Sequence, residues 1–172
     1  SRRGKYLLLG TNKGTALVHL GMSGSLRLTA TDEPYRKHDH ISLMLSNDYS
    51  LRFHDPRRFG LFLWLEDDPL QHPLLSSLGP EPLTERFTPE HLFLLSSKKK
   101  TPVKSFIMDG HVVVGVGNIY ANEALFYAGI HPITPANQLL LTDYQRLHHH
   151  ICRILSIAIE RGGTTLRDFV NS

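Results

Sequence analysis

From Tyr6 to Leu65 apolar residues recur in short runs, many with the period of two that marks half-buried β-strands. Tyr6 to Gly10 is apolar, Asn12-Lys13-Gly14 supplies a turn, and Ala16 to Leu20 resumes the run, which predicts a hairpin. Leu26 and Leu28, then Ile41, Leu43 and Leu45, alternate with polar residues. Asn47-Asp48 turns the next hairpin into Tyr49, Leu51 and Phe53. Phe59 to Leu65 is the last run, ended by Glu66-Asp67-Asp68-Pro69. Short strands at this regular spacing predict an antiparallel β-sandwich.

Composition shifts after residue 70. The stretch 71–83 contains Pro73, Gly79, Pro80 and Pro82 and reads as a connection. From Thr84 onward the pattern is helical. Thr88-Pro89 places an N-cap before a proline at the first helical position, and Thr101-Pro102 predicts the same device again. Gly110 ends the second of these helices. Asn118 is suited to cap a helix to Ala128, closed by Gly129 and Pro132. Thr142 and Gln145 predict a capping box for the longest helix, whose buried stripe is Leu147, Ile151, Ile154, Leu155 and Ala158, with Gly162-Gly163 as its stop. The expected architecture is α+β: a partial antiparallel β-sandwich over 1–70, a connection over 71–83 and a helical domain over 84–172.

The totals narrow the function. A chain of 172 residues holds one large domain or two small ones, and 41% hydrophobic with 20% charged residues is not a disordered composition. A net charge of +3, 11 histidines and a pI of about 9.1 suit an anionic partner. The single Cys152 excludes an intramolecular disulfide and any multi-cysteine zinc site within these residues. No run has the length of a membrane span and no signal-peptide pattern opens the chain, so a cytoplasmic protein is expected. The abrupt opening Ser1-Arg2-Arg3-Gly4-Lys5 and the ending Val170-Asn171-Ser172 lead us to expect a fragment.

The most informative segment is His54-Asp55-Pro56-Arg57-Arg58-Phe59-Gly60, two guanidiniums and an aromatic ring after a tight turn. Arginine holds phosphates and reads base edges, and a neighbouring phenylalanine can wedge between stacked bases. The same residues also suit a hairpin corner with solvated arginines and a core phenylalanine. Gly115-Val116-Gly117-Asn118 puts flexible backbone before a helix, which favours phosphate or is simply a tight turn. Lys98-Lys99-Lys100, with Lys104, reads as a solvated helix end or as a phosphate track. Lys5 is either an exposed edge lysine or a functional one. His38 and His40 alternate on an expected strand and so could share a face, but no third ligand is evident and no metal site is expected. His148-His149-His150 spreads over several helix faces and reads as surface and packing.

Taken together and in order, Val18-His19-Leu20-Gly21-Met22-Ser23-Gly24-Ser25-Leu26-Arg27, the His54–Gly60 segment, the lysine run with Thr101 and Gly115-Val116-Gly117-Asn118-Ile119-Tyr120-Ala121 resemble the formamidopyrimidine-DNA glycosylase family, over nearly the whole chain. The resemblance implies a helix-two-turn-helix domain and base-excision repair: a bifunctional DNA glycosylase and AP lyase that removes 8-oxoguanine and formamidopyrimidines. It implies Lys5 as a catalysis-assisting, phosphate-binding lysine. It implies DNA contacts from His19, His38, Arg57, Lys99, Lys104 and Asn118, and a base-stack wedge of Met22, Arg57 and Phe59. Double-stranded DNA carrying oxidised purines or abasic sites is the implied partner, and a monomer is expected. The loop begun by Gly162-Gly163-Thr164-Thr165 would close over an everted base.

The family's N-terminal proline nucleophile, its glutamate acid and its four-cysteine zinc finger are not among these residues. The resemblance therefore points to a central fragment, poorly stable and inactive alone, with no cofactor of its own and zinc expected elsewhere in the parent. A non-catalytic binder of distorted or damaged DNA is the rival reading, and it predicts no covalent intermediate. A second rival acts on oxidised pyrimidines, against which Met22, Arg57 and Phe59 together speak.

Overall fold

The computed structural model describes residues 1–163, and the chain divides into two compact units, Ser1–Ser76 and Ser77–Ser172. The first unit is built from strands β1 (Arg2–Arg3), β2 (Tyr6–Thr11), β3 (Gly14–His19), β4 (Ser25–Ala30), β5 (Asp39–Met44), β6 (Tyr49–His54) and β7 (Leu61–Leu65), followed by the short helix α1 (Pro73–Ser76). They form two antiparallel sheets, ordered β1-β2-β3-β7 and β4-β6-β5. The period-two pattern sets the register. Leu26, Phe53 and Ile41 stand side by side across one sheet, while Leu7 faces Val18 and Val18 faces Phe62 across the other. These residues meet in one core, in which Ala16, Val18 and Phe53 are buried and Leu7, Leu9, Leu20, Leu26, Ile41 and Phe62 pack against them. Side chains from both sheets in one cluster make the unit a sandwich.

The opposite face of the three-stranded sheet is polar, and a charge network covers it. Arg52 is fully buried, donating to the carbonyl of Pro34 at 3.0 Å and to that of Glu33, with the Tyr35 ring 4.4 Å from its guanidinium carbon. Asp39, whose side chain has no exposure, receives both contacts of Arg27 at 2.8 and 2.9 Å, the His54 ring at 2.9 Å and the Arg36 amide at 3.0 Å. Burial alone would raise its pKa; the hydrogen bonds and the Arg27 charge reverse that and hold the carboxyl well below the usual carboxylate range. The network pins the 31–39 loop.

The second unit contains helices α2 (Pro89–Ser96), α3 (Val103–Met108), α4 (Asn118–Ala128) and α5 (Leu141–Glu160). Leu92, Val103, Ile107, Ala121, Leu125, Tyr144, Leu147 and Ile151 are its buried centre. Each fully buried aliphatic side chain contributes about 1.5–3 kcal/mol, so this cluster dominates the unit's stability. Thr88 caps α2 as the sequence predicts, its hydroxyl accepting the His91 amide at 3.1 Å. Gly129 closes α4 in the left-handed region, φ 67°, a conformation glycine adopts without strain.

Four helix boundaries differ from expectation. Thr101 caps nothing: Pro102 stands at the start of α3, and the first amides find partners in a neighbouring loop, Val103 on the Thr134 carbonyl at 2.8 Å and Lys104 on that of Pro132 at 3.2 Å. That helix ends at Met108, before Gly110. Asn118 is the first residue of α4 and Gly117 precedes it as the cap. In α5 the Asp143 carboxylate accepts the Leu140 amide at 2.8 Å, so the capping interaction lies two residues before the Thr142–Gln145 pair. A carboxylate in the first turn also meets the positive end of the helix dipole. The stripe of α5 includes Tyr144, whose hydroxyl donates to the Ala136 carbonyl at 2.9 Å, and reaches Ala158 only at partial burial.

Candidate nucleic-acid interface

In the sandwich unit, two turns are locked backbone to backbone. Gly21 lies between β3 and β4 with φ 63°, and a Cβ there would fall 2.7 Å from the Phe59 carbonyl group and 2.8 Å from the Gly60 nitrogen. A side chain at position 21 would therefore separate the turns. The close approach presents Met22 and Phe59 outward, 77% and 61% exposed. Arg57 joins them: its Nε donates to the Ser23 hydroxyl at 3.3 Å and its guanidinium carbon lies 5.3 Å from the Phe59 ring. Large apolar side chains with this exposure are costly in water, whereas a ring backed by a guanidinium is suited to stack on bases. The structure thus brings Met22, Arg57 and Phe59 into one tip. The alternative of Phe59 as a core residue is excluded by its exposure.

The β6–β7 turn is fixed from inside by Asp55, which accepts the Gly60 amide at 2.7 Å on Oδ2. The backbone of Asp55 reaches the other arm of the site. Its N–H donates to the His38 carbonyl at 3.0 Å, and its carbonyl pairs with the His40 Nε2 at 2.9 Å. His38 has φ 76° and stands just before β5, and the register shifts between Asp39 and Ile41, so His38 and His40 do not alternate on a regular strand. The His38 ring lies 6.1 Å from His54 and 6.3 Å from His40. Desolvation and then the charges of Lys37, His54, His40 and Arg58 lower its pKa.

Lys5 and His19 share a cavity of about 250 Å³ lined also by Arg2, Leu7, Leu20 and Gly21. Desolvation lowers the Lys5 pKa. His19 is lowered by desolvation and then by the Lys5 charge. The Gly21 amide donates to His19 Nδ1 at 3.0 Å, which keeps that nitrogen unprotonated and places the proton of the neutral ring on Nε2. The cavity therefore brings together the Lys5 amine, the Nε2 N–H of His19 and the Arg2 guanidinium.

In the helical unit, Lys98, Lys99 and Lys100 are exposed and lie beyond the end of α2, so they are not its last turn. Lys99 lies close enough to Asp109 for its charge to act there. Burial raises the Asp109 pKa, but hydrogen bonds from the His111 amide and ring, with the charges of His111 and Lys99, bring it below its ordinary value. Lys104 is half-buried in the first turn of α3. Asn118 is exposed at the start of α4, after Gly115 in the left-handed region at φ 84°. The Asn118 side chain is not spent on capping, and among the described residues its amide has no partner at the positive end of the helix. His148 packs as expected, its ring 4.8 Å from Phe87 and its Nε2 2.9 Å from the Phe87 carbonyl.

Among the described residues no three His, Cys, Asp or Glu side chains are grouped to hold a metal, and no helix is long and apolar enough to cross a membrane. Most of the loop that begins at Gly162 lies outside the described residues. Sequence reasoning missed Asp55, Asp39, Arg27 and Arg52, whose roles rest on partners distant in the chain. Gly21 and Gly60 carried a signal, each following a candidate site residue within two positions.

The sandwich unit thus carries a tip of exposed apolar and guanidinium groups, and the helical unit carries exposed lysines and an exposed Asn118 at a helix start. Family models match over both units: the formamidopyrimidine-DNA glycosylase N-terminal domain over residues 1–62 and its H2TH domain over residues 78–170. The chain is 59% identical over 170 residues to the formamidopyrimidine-DNA glycosylase of Methylococcus capsulatus, covering 99% of this chain and 63% of that protein. It is 61% identical over 171 residues to that of Marinobacter nauticus, covering 99% and 63%. Among solved structures it resembles the Lactococcus lactis enzyme non-covalently bound to DNA containing an abasic site, with TM-score 0.90, 36% identity and coverage of 96% of this chain and 63% of that one. The Thermus thermophilus enzyme matches with TM-score 0.87 and 40% identity over 98% of this chain and 62% of that chain. The chain belongs to the formamidopyrimidine-DNA glycosylase family, and it spans 63% of the length of both curated relatives.

The close approach at Gly21 is testable. Gly21→Ala combines left-handed strain with backbone overlap and should lower unfolding free energy by about 2–4 kcal/mol. Urea denaturation followed by circular dichroism measures it, and a change under about 0.5 kcal/mol would show that the two turns are not locked.

Proposed function

We propose that this chain is the recognition body of a base-excision repair enzyme, a bifunctional DNA glycosylase and AP lyase that removes oxidised purines from double-stranded DNA. The observation that carries the reading is the exposed Met22–Arg57–Phe59 tip braced by Gly21. Structures of relatives hold DNA with an abasic site, with carbocyclic 8-oxoguanine and with a formamidopyrimidine lesion, which is the substrate class proposed here.

On this reading Phe59 enters the stack beside the lesion, Met22 fills the space of the everted base and Arg57 faces the orphaned partner. Eversion costs a few kcal/mol of stacking, and the inserted side chains recover part of it. Lys5 and His19 lie beside one cavity and would hold the lesion's phosphates, with the low-pKa Lys5 assisting the chemistry. His38 contacts the backbone on the far side of the tip. In the helical unit Lys99, Lys104 and Asn118 bind phosphates, fixing position without reading sequence.

The chemistry proposed for the parent is amine catalysis. An amine attacks the sugar C1′, the glycosidic bond breaks, the damaged base leaves, and the resulting Schiff base permits elimination of both flanking phosphates. These 172 residues alone are proposed to bind DNA without turnover. Zinc belongs to a four-cysteine finger that a sequence with only Cys152 does not supply. We place the parent as a monomer in the cytoplasm, at the nucleoid.

Phe59→Ala should weaken binding to a lesion duplex more than to its undamaged counterpart in fluorescence anisotropy; equal loss on both would refute insertion. Lys99→Ala should weaken both alike and reduce the slope of log affinity against log salt by about one. An unchanged slope would remove Lys99 from the phosphate contacts.

A further inference from the structure

Asp55 takes no part in the DNA contacts proposed above, yet it is 2% exposed at the base of the β6–β7 turn. Its Oδ2 accepts the Gly60 amide, and its Oδ1 is buried with no hydrogen-bond partner among the described residues. A buried carboxylate with one direct donor is destabilising in itself. A turn residue with no buried polar atom would close the hairpin at lower cost, so the buried carboxyl calls for a further role.

Gly60 shows what that role is. A Cβ at position 60 would lie 2.6 Å from Phe53 Cζ, 2.9 Å from Asp55 Oδ2 and 2.9 Å from the His19 carbonyl oxygen. The backbone immediately after Phe59 is therefore pressed between the sandwich core, the Asp55 carboxylate and the strand end that carries His19. The hydrogen bond from the Gly60 amide to that carboxylate oxygen is short at 2.7 Å. We propose that the Asp55 carboxylate is the positioning residue of the wedge, fixing Arg57 and Phe59 against the Lys5–His19 cavity. The inference rests on the insertion reading above.

Only the side chain does this. The backbone bonds of Asp55 to His38 and His40 do not use its side chain and are open to the Asn and Ala variants alike. Removing the carboxylate therefore frees the wedge while keeping the phosphate arm, a split that general destabilisation does not produce.

The test compares wild type, Asp55→Asn, Asp55→Ala and Phe59→Ala on a duplex with a tetrahydrofuran abasic site and on the matched undamaged duplex, with folding checked by circular dichroism. Asp55→Ala should lose about tenfold of the preference for the abasic duplex, with undamaged affinity and salt slope retained. Asp55→Asn keeps an acceptor without the charge and should lose about threefold; it decides the matter if Asp55→Ala does not fold. Full preference in either folded variant overturns the assignment, as does equal loss on both duplexes. If Phe59→Ala loses the preference and the Asp55 variants keep it, only the role of Asp55 fails. If wild type has no preference to lose, the insertion reading fails and the role of Asp55 with it.

Discussion

The sandwich unit's candidate site depends on one steric constraint, the contact of the Gly21 backbone with that of Phe59 and Gly60. Hydrophobic burial makes the sandwich, but it would equally draw Met22 and Phe59 inward. They remain outside because both turns are too tightly joined to rotate their side chains toward the core. Glycine at position 21 permits both the left-handed conformation and the approach. A tip that is rigid before binding loses little conformational entropy when it enters a base stack, and preorganisation of this kind turns exposed apolar area into affinity.

Buried charge does the corresponding work around the tip. Asp39 collects Arg27, His54 and the Arg36 amide, and Arg52 reaches across to the 31–34 carbonyls, so the 31–39 loop is ordered from below by ionic contacts rather than by apolar packing. His38 follows from that order: its left-handed conformation, uncommon for a residue with a Cβ, is held between Asp39 and the Asp55 amide. Backbone strain of this kind persists only where the surrounding structure over-determines it. In the helical unit the same economy appears at Asn118, whose side chain is spared from capping because Gly117 begins the helix.

Much of this was legible in the sequence, and the rest fails to be legible for definite reasons. Alternation at Leu26–Leu28 and Ile41–Leu43 located the strands because the period is local, although only Leu26 and Ile41 pack against the core, Leu28 is exposed and Leu45 lies beyond β5. Thr88 and Gly129 were readable because a cap and a left-handed stop depend on a few neighbouring residues. Thr101 was misleading because α3 takes its cap from a distant loop, and Thr142–Gln145 because Asp143 competes two positions earlier for the Leu140 amide. The tip residues were named through motif resemblance, whereas nothing in the local sequence around Asp55 and Arg52 announces that both are buried. Their contacts span up to 21 residues of sequence, beyond any periodic signal.

The central claim, that a braced tip enters the base stack, is tested most directly by 2-aminopurine placed beside a tetrahydrofuran abasic site. Saturating wild-type protein should raise its fluorescence as the base loses its stacking partner, and a Met22→Ala/Phe59→Ala double variant at saturation should leave it near the free-duplex value. An equal rise with the double variant, or no rise with wild type, would contradict insertion and leave the tip as a surface feature without a role in DNA distortion.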